Sequence, residues 1–203
     1  MIGVIGPLVQ GKREVRGSVG SVALFAVGAI IGALLTGSLI GLIGAGLQSL
    51  AGEHVLAVMV GAAGCALLAA DLGLFGLRTP TLRRQTCSTW YREHGARKAW
   101  ISWGFDLGLG FSTIRLSSLY WLLALFVAAF VSPVLAPVVL AFYGLGLSVA
   151  FAGAIVAYTW STPSGDSPGL GLLRAAGRVR VASIAFLALV SLVIVATAAA
   201  PWS

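Results

Sequence analysis

A chain of 203 residues with 59% hydrophobic residues, 9% charged residues and a mean hydropathy of +1.00 has too few polar side chains to cover a water-facing surface. That excludes an ordinary soluble domain and makes the chain one membrane domain. The net charge of +7 lies in short segments between apolar runs, so it marks topology and not a nucleic-acid-binding face, and no nucleic-acid partner is expected.

The N-terminal MIGVIGPLVQGKREVRGS sets a short apolar run ahead of its charges, the reverse of a signal peptide, and is expected to stay on the mature protein. A first span follows over 21–50. Its Gly28 and Gly32, then Gly37 and Gly41, are two GxxxG spacings that place small residues on one helix face, which predicts a packing seam. A turn around Gly52, Glu53 and His54 leads to a second span over 55–77, which holds Cys65 and Asp71. The segment 78–98 is the largest loop, with Arg78, Arg83, Arg84, Arg92, Arg97 and Lys98 against a single acid, Glu93.

The third span, 99–131, opens with Trp100 and Trp103 as expected interfacial anchors. Gly104 and Gly108 add a further small-residue face. A turn through Ser132, Pro133 and Pro137 gives a fourth span over 134–160; a Pro, Gly and Ser-rich loop, 161–180, precedes a fifth over 181–200. The predicted class is therefore all-α: a polytopic integral membrane bundle of five transmembrane helices, each long enough to cross about 30 Å of hydrocarbon. Twelve of the 13 Lys and Arg residues then share the side of the N-terminus and the two long loops, which the positive-inside rule makes cytoplasmic. The C-terminus is expected outside, in an inner cell membrane.

Arg115 is the exception, near the middle of the third span. A charge at that depth costs about 2.5 to 3.5 kcal/mol on insertion scales, so it normally faces a partner or a wet cavity. On a regular helix Asp106, Gly110, Thr113, Ser117 and Tyr120 form a polar stripe along the same span, with Arg115 about half a turn away from Asp106. Gly104, Gly108 and Gly110 mark a place where that helix breaks or is closely approached, and broken helices at mid-membrane are common solute sites. Asp71 and Asp106 are each expected on the order of 10 Å inside the cytoplasmic leaflet. If they meet, a shared cation is expected, since like charges resist joint ionisation; alternatively each bonds a hydroxyl or reaches a loop cation. The expected solute or ion path is thus Arg115, Asp106, Asp71, Thr113, Ser117 and Tyr120.

No catalytic, metal or cofactor site is expected. His54 and His94 fall on opposite sides of the predicted membrane and so are not paired haem ligands, and no Cys or His spacing suggests zinc. Lys12 and Lys98 lie outside the spans, which excludes a buried retinal Schiff base, and no HExxH, GxSxG or P-loop is present.

The runs GFDLGLGFSTIRLSSLYWLL and SPVLAPVVLAFYGLGLSVAF, with the short Pro-containing turn between their spans and the Tyr143 to Leu147 pattern, resemble the fourth and fifth helices of the CcdA/DsbD transmembrane thiol-disulfide electron carriers. The first two spans resemble that family's second and third helices. The resemblance implies two inverted three-helix repeats, each opening on a helix with a Pro-Cys redox centre. Here the first such helix is missing, because Met1 to Gln10 is too short to span, and Thr113 and Ile114 stand where the second Pro-Cys would be. Neither redox cysteine is carried over; Cys65 and Cys87 match no motif position. What the resemblance implies is a truncated inverted-repeat scaffold around a polar site, its open side filled by a second copy or another membrane subunit. Three functions follow: a small transporter of a solute or ion, a non-catalytic subunit that anchors a complex, or a thiol-redox protein using one cysteine.

Overall fold

The structure, a computed structural model, describes residues 15–76, 90–110, 118–160, 180–193 and 196. Among these residues there are helices and turns and no strand: α1 (Val15–Leu50), α2 (Glu53–Asp71), a 3-10 turn (Leu74–Gly76), α3 (Trp90–Gly108), α4 (Leu119–Phe130), α5 (Ala136–Trp160) and α6 (Arg180–Val193). Three stretches, Gly20–Leu50, Glu53–Asp71 and Ala136–Gly153, are long and apolar enough to cross a bilayer. The apolar run predicted as one span over 99–131 is two helices. α3 stops at Gly108, Gly110 has φ +81, and α4 begins at Leu119. α2 also stops short of the predicted 77, because Gly73 at φ +71 turns the chain out of the helix, as glycine does at a helix C-terminus.

α1 shows how such a sequence holds a helix. Its 36 residues include six glycines after Gly20, poor helix formers in water. In an apolar medium the backbone has no other partner for its N–H and C=O groups, and the helix satisfies them internally. Its buried face is small or polar: Gly28, Ala29, Gly32, Ala33, Thr36, Gly37, Gly41 and Gly44, headed by Phe25. Its exposed face is large and aliphatic, with Ile31, Leu35, Leu39, Ile43 and Leu42, the last 69% exposed. This is the reverse of a water-soluble amphipathic helix and suits a lipid surround.

The described residues fall into two compact units, one drawn from Met1–Ser38, Thr81–Ile114 and Pro137–Trp160, the other from Leu39–Pro80, Arg115–Ala136 and Ser161–Ser203. In the first unit α1 meets α3 backbone to backbone. A Cβ on Gly28 would collide with the carbonyl oxygen of Ile101, one on Gly32 with that of Phe105, one on Gly104 with that of Phe25 and one on Gly108 with that of Ala29. α5 closes on the same point, where a Cβ on Gly144 would lie 2.7 Å from the Ala29 carbonyl oxygen. Around this contact Phe25 stacks on Phe151 with centroids 4.3 Å apart, and Trp100 meets Trp103 edge to face at 5.0 Å. Trp100 and Trp103, expected as interfacial anchors, are 5% and 1% exposed because these rings fill the core beside the glycines.

In the second unit Leu56, Val60, Leu122, Ala129 and Leu187 form the core. Gly41 and Gly44 on α1 approach Pro133 and Ala128, and Gly64 on α2 approaches Ser191 on α6. The Ser191 hydroxyl is 2% exposed and has no hydrogen-bond partner among the described residues, so the close approach to Gly64 uses its small size. Gly28, Gly32, Gly41, Gly104 and Gly108 are all in close contact within the chain.

Gly28→Ala and Gly104→Ala are each expected to destabilise by about 1–3 kcal/mol through overpacking. Gly46→Ala, at an exposed helical position with nothing within 4 Å, is expected to be neutral or stabilising by about 0.5–1 kcal/mol. Thermal unfolding of the three variants in one detergent, followed by tryptophan fluorescence, checks the ordering.

Candidate functional site

An interruption in an apolar stretch leaves helix-end groups without intrahelical partners, and at bilayer depth each must be satisfied by protein or by a wet cavity. At the end of α3, Leu109 N–H donates to the Phe105 carbonyl and Gly110 N–H to that of Leu107. The Leu109 carbonyl is taken by Thr36 Oγ1 of α1 at 3.1 Å. Thr36 and Gly110 are both buried, so a side chain two helices earlier in sequence closes this end.

The start of α4 is closed by a carboxylate. Asp71, the last residue of α2, is 3% exposed. Its Oδ2 accepts the Ser118 backbone N–H at 2.7 Å, and its Oδ1 accepts the Ser118 hydroxyl at 2.7 Å. Ser118 is the N-cap of α4 but makes no side-chain capping bond of its own; its carbonyl instead accepts Trp121 and Leu122 N–H. At the C-terminus of α2 a negative side chain opposes the helix dipole; at the N-terminus of α4 the same charge is favoured. Arg180 of α6 donates from Nη2 to the Asp71 backbone carbonyl at 3.3 Å, placing a cation where the α2 dipole favours one.

The far end of α4 is held as well. Gln48 Nε2 donates to the Ala128 and Val131 carbonyls at 3.0 and 3.1 Å. α4 has only 12 residues, a length that is marginal alone, and both its ends are tied to other helices of its unit.

Among the predicted path residues, Asp71 binds Ser118 at the start of the second unit's α4, and Tyr120 lies in that helix's first turn, 4% exposed, with its ring 5.7 Å from that of Trp121. Asp106 lies in the last turn of α3, 7% exposed, in the first unit. The polar stripe through Asp106, Gly110 and Tyr120 does not form on one regular helix, since Gly110 and the start at Leu119 divide it. Arg115, Thr113 and Ser117 lie outside the described residues. Ser118, Gln48, Thr36 and Arg180 were not singled out by the sequence reasoning. For three of them a signal was present, as a serine just ahead of the apolar LYWLLALF and as the one Thr and the one Gln within the apolar α1. No group of three or more His, Cys, Asp or Glu suited to a metal ion occurs among the described residues.

No protein-family model matches this chain, and no curated protein or solved structure matches it at a significant level.

Asp71→Ala leaves two buried donors of Ser118 without their acceptor and is expected to cost about 2–3 kcal/mol. Asp71→Asn, which keeps one acceptor oxygen, is expected to cost less, and Gln48→Ala about 1 kcal/mol. Thermal unfolding in detergent reads all three; equal stability of Asp71→Ala and wild type would remove Asp71 as the cap of α4.

Proposed function

We propose that this chain is a multi-pass protein of the inner cell membrane that moves a small solute or ion along a path at the interrupted apolar stretch Gly104 to Phe130, with the N-terminus and the basic loops facing the cytoplasm. One observation carries the proposal. The apolar stretch stops as a helix and restarts as a second helix, and the polar groups on both sides of the stop are met by Thr36 and Asp71. An interruption held this way is a built feature, and discontinuous helices are where transporters gather substrate. Arg115 falls in the segment between the two helices and is the residue proposed to meet the solute.

The charge arrangement narrows the role of each residue. The N-terminus of α4, an anion site in principle, is already occupied by the Asp71 carboxylate. An anionic solute is therefore bound through the Arg115 guanidinium and not through that helix end. Asp71 acts as a positioning residue, fixing where the second helix begins.

Native mass spectrometry of the detergent-extracted protein identifies the retained solute, whose uptake is then followed in proteoliposomes. Arg115→Ala is expected to slow uptake at least about tenfold, the loss of about 1.4 kcal/mol or more, while helical circular dichroism and elution stay unchanged. Full uptake without this side chain, or a stoichiometric foreign subunit in place of a solute, overturns the proposal.

A further inference from the structure

α6 meets the rest of the second unit along one narrow stripe. Its buried residues are Leu187 and Ser191, one turn apart, while Val181, Phe186, Leu189 and Leu192 are exposed. Leu187 joins the core of Leu56, Val60, Leu122 and Ala129. Ser191 contributes differently. Its hydroxyl is pressed against α2, 2.7 Å from where a Cβ on Gly64 would stand, and it has no hydrogen-bond partner among the described residues. A buried hydroxyl left unmet carries its full desolvation cost, which an alanine in the same place would not. The other tie of α6 is at its start, where the exposed Arg180 donates to the Asp71 carbonyl at 3.3 Å. In an apolar surround burial alone adds little to hold such a helix.

We propose that α6 is the moving element of the second unit: it leaves α2 along the contact of Gly64 with Ser191 and carries Arg180 away from Asp71. As a step of solute movement this rests on the function proposed above; the displacement itself does not. The unmet hydroxyl sets the direction. A serine within a helix ordinarily bonds the carbonyl four residues back, and the docked contact turns this one towards Gly64 instead. Any arrangement that gives the hydroxyl a partner therefore gains free energy that the docked one lacks. Gly64 presents no side chain to interlock, so the two helices part there without repacking a knob. The effect reaches the interruption through bonded steps. Arg180 holds the Asp71 carbonyl, and the Asp71 carboxylate holds the Ser118 N–H and hydroxyl where α4 begins. Release of α6 removes one of the bonds that fix Asp71, so docked and released states bias the start of α4 differently.

The test places nitroxide labels on Cys65, exposed beside Gly64, and on Leu192→Cys, exposed beside Ser191, in the full chain carrying Cys87→Ser in lipid nanodiscs. Continuous-wave EPR separates docked chains, whose labels broaden one another, from released ones, whose labels do not. With Ser191 in place both populations are expected. Ser191→Ala is expected to lower the ratio of released to docked chains about tenfold, and Arg180→Gln, which removes the other tie, to raise it about threefold. A single docked population with Ser191 in place, or a ratio that Ser191→Ala leaves unmoved or raises, overturns the moving helix. In proteoliposomes Ser191→Ala is expected to slow uptake of the retained solute in step with the loss of the released state. Unchanged uptake beside that loss overturns the role of α6 in solute movement. The spectral shift in a chain whose wild type takes up nothing supports the displacement and overturns only the transport reading.

Discussion

The contact between α1 and α3 admits no side chain, and the first unit depends on it. Where apolar helices associate in an apolar surround, burial supplies little net drive, so dispersion at short range and the direct approach of backbones must hold them. Gly28, Gly32, Gly104 and Gly108 interlock so that each presses on a carbonyl of the other helix. Each glycine weakens its own helix by about 1 kcal/mol in water. That cost is offset because the same absence of a Cβ brings two backbones together and lets α5 reach Ala29 through Gly144. The aromatic cluster of Phe25, Trp100, Trp103 and Phe151 is laid beside this contact, and its rings meet only at that helix spacing.

The second unit is organised differently. There a short helix, α4, is pinned by polar side chains at its ends: Asp71 at the start and Gln48 at the finish, with Arg180 fixing the carbonyl of Asp71 itself. Such bonds are worth more inside a low-dielectric interior than at a surface, and leaving any one unmade is correspondingly expensive. The charge on Asp71 serves the start of α4, which is the physical reason for an acid at the otherwise unfavourable end of α2.

Much of this was legible from composition and spacing. The all-helical class, the long first helix with its glycine face, and the helices beginning near residues 53 and 136 follow from apolar run length and proline position. The glycine cluster at Gly104, Gly108 and Gly110 also marked the interruption, because glycine is where a helix most readily ends. What was not legible is what each small face meets. Gly28 and Gly32 have the spacing of a dimer seam, yet their partner is α3 of the same chain. Likewise Trp100 and Trp103, next to Arg97 and Lys98, have the pattern of an interfacial belt, and only the position of Phe25 and Phe151 turns them inward. The caps fall in the same class: Thr36, Gln48 and Asp71 lie 73, 80 and 47 residues from the groups they bind, beyond any local pattern.

Those separations share a direction. The side chain that closes the end of α3, the one that closes the start of α4 and the one that closes its finish all precede their targets in the chain. A chain made from its N-terminus at about 5–20 residues per second therefore holds Thr36, Gln48 and Asp71 ready before α4 emerges from the ribosome. The open backbone groups of the interrupted stretch meet their partners on arrival, without waiting for a later helix. Arg180 alone comes afterwards, so its bond to Asp71 is the last of these ties that synthesis allows to close.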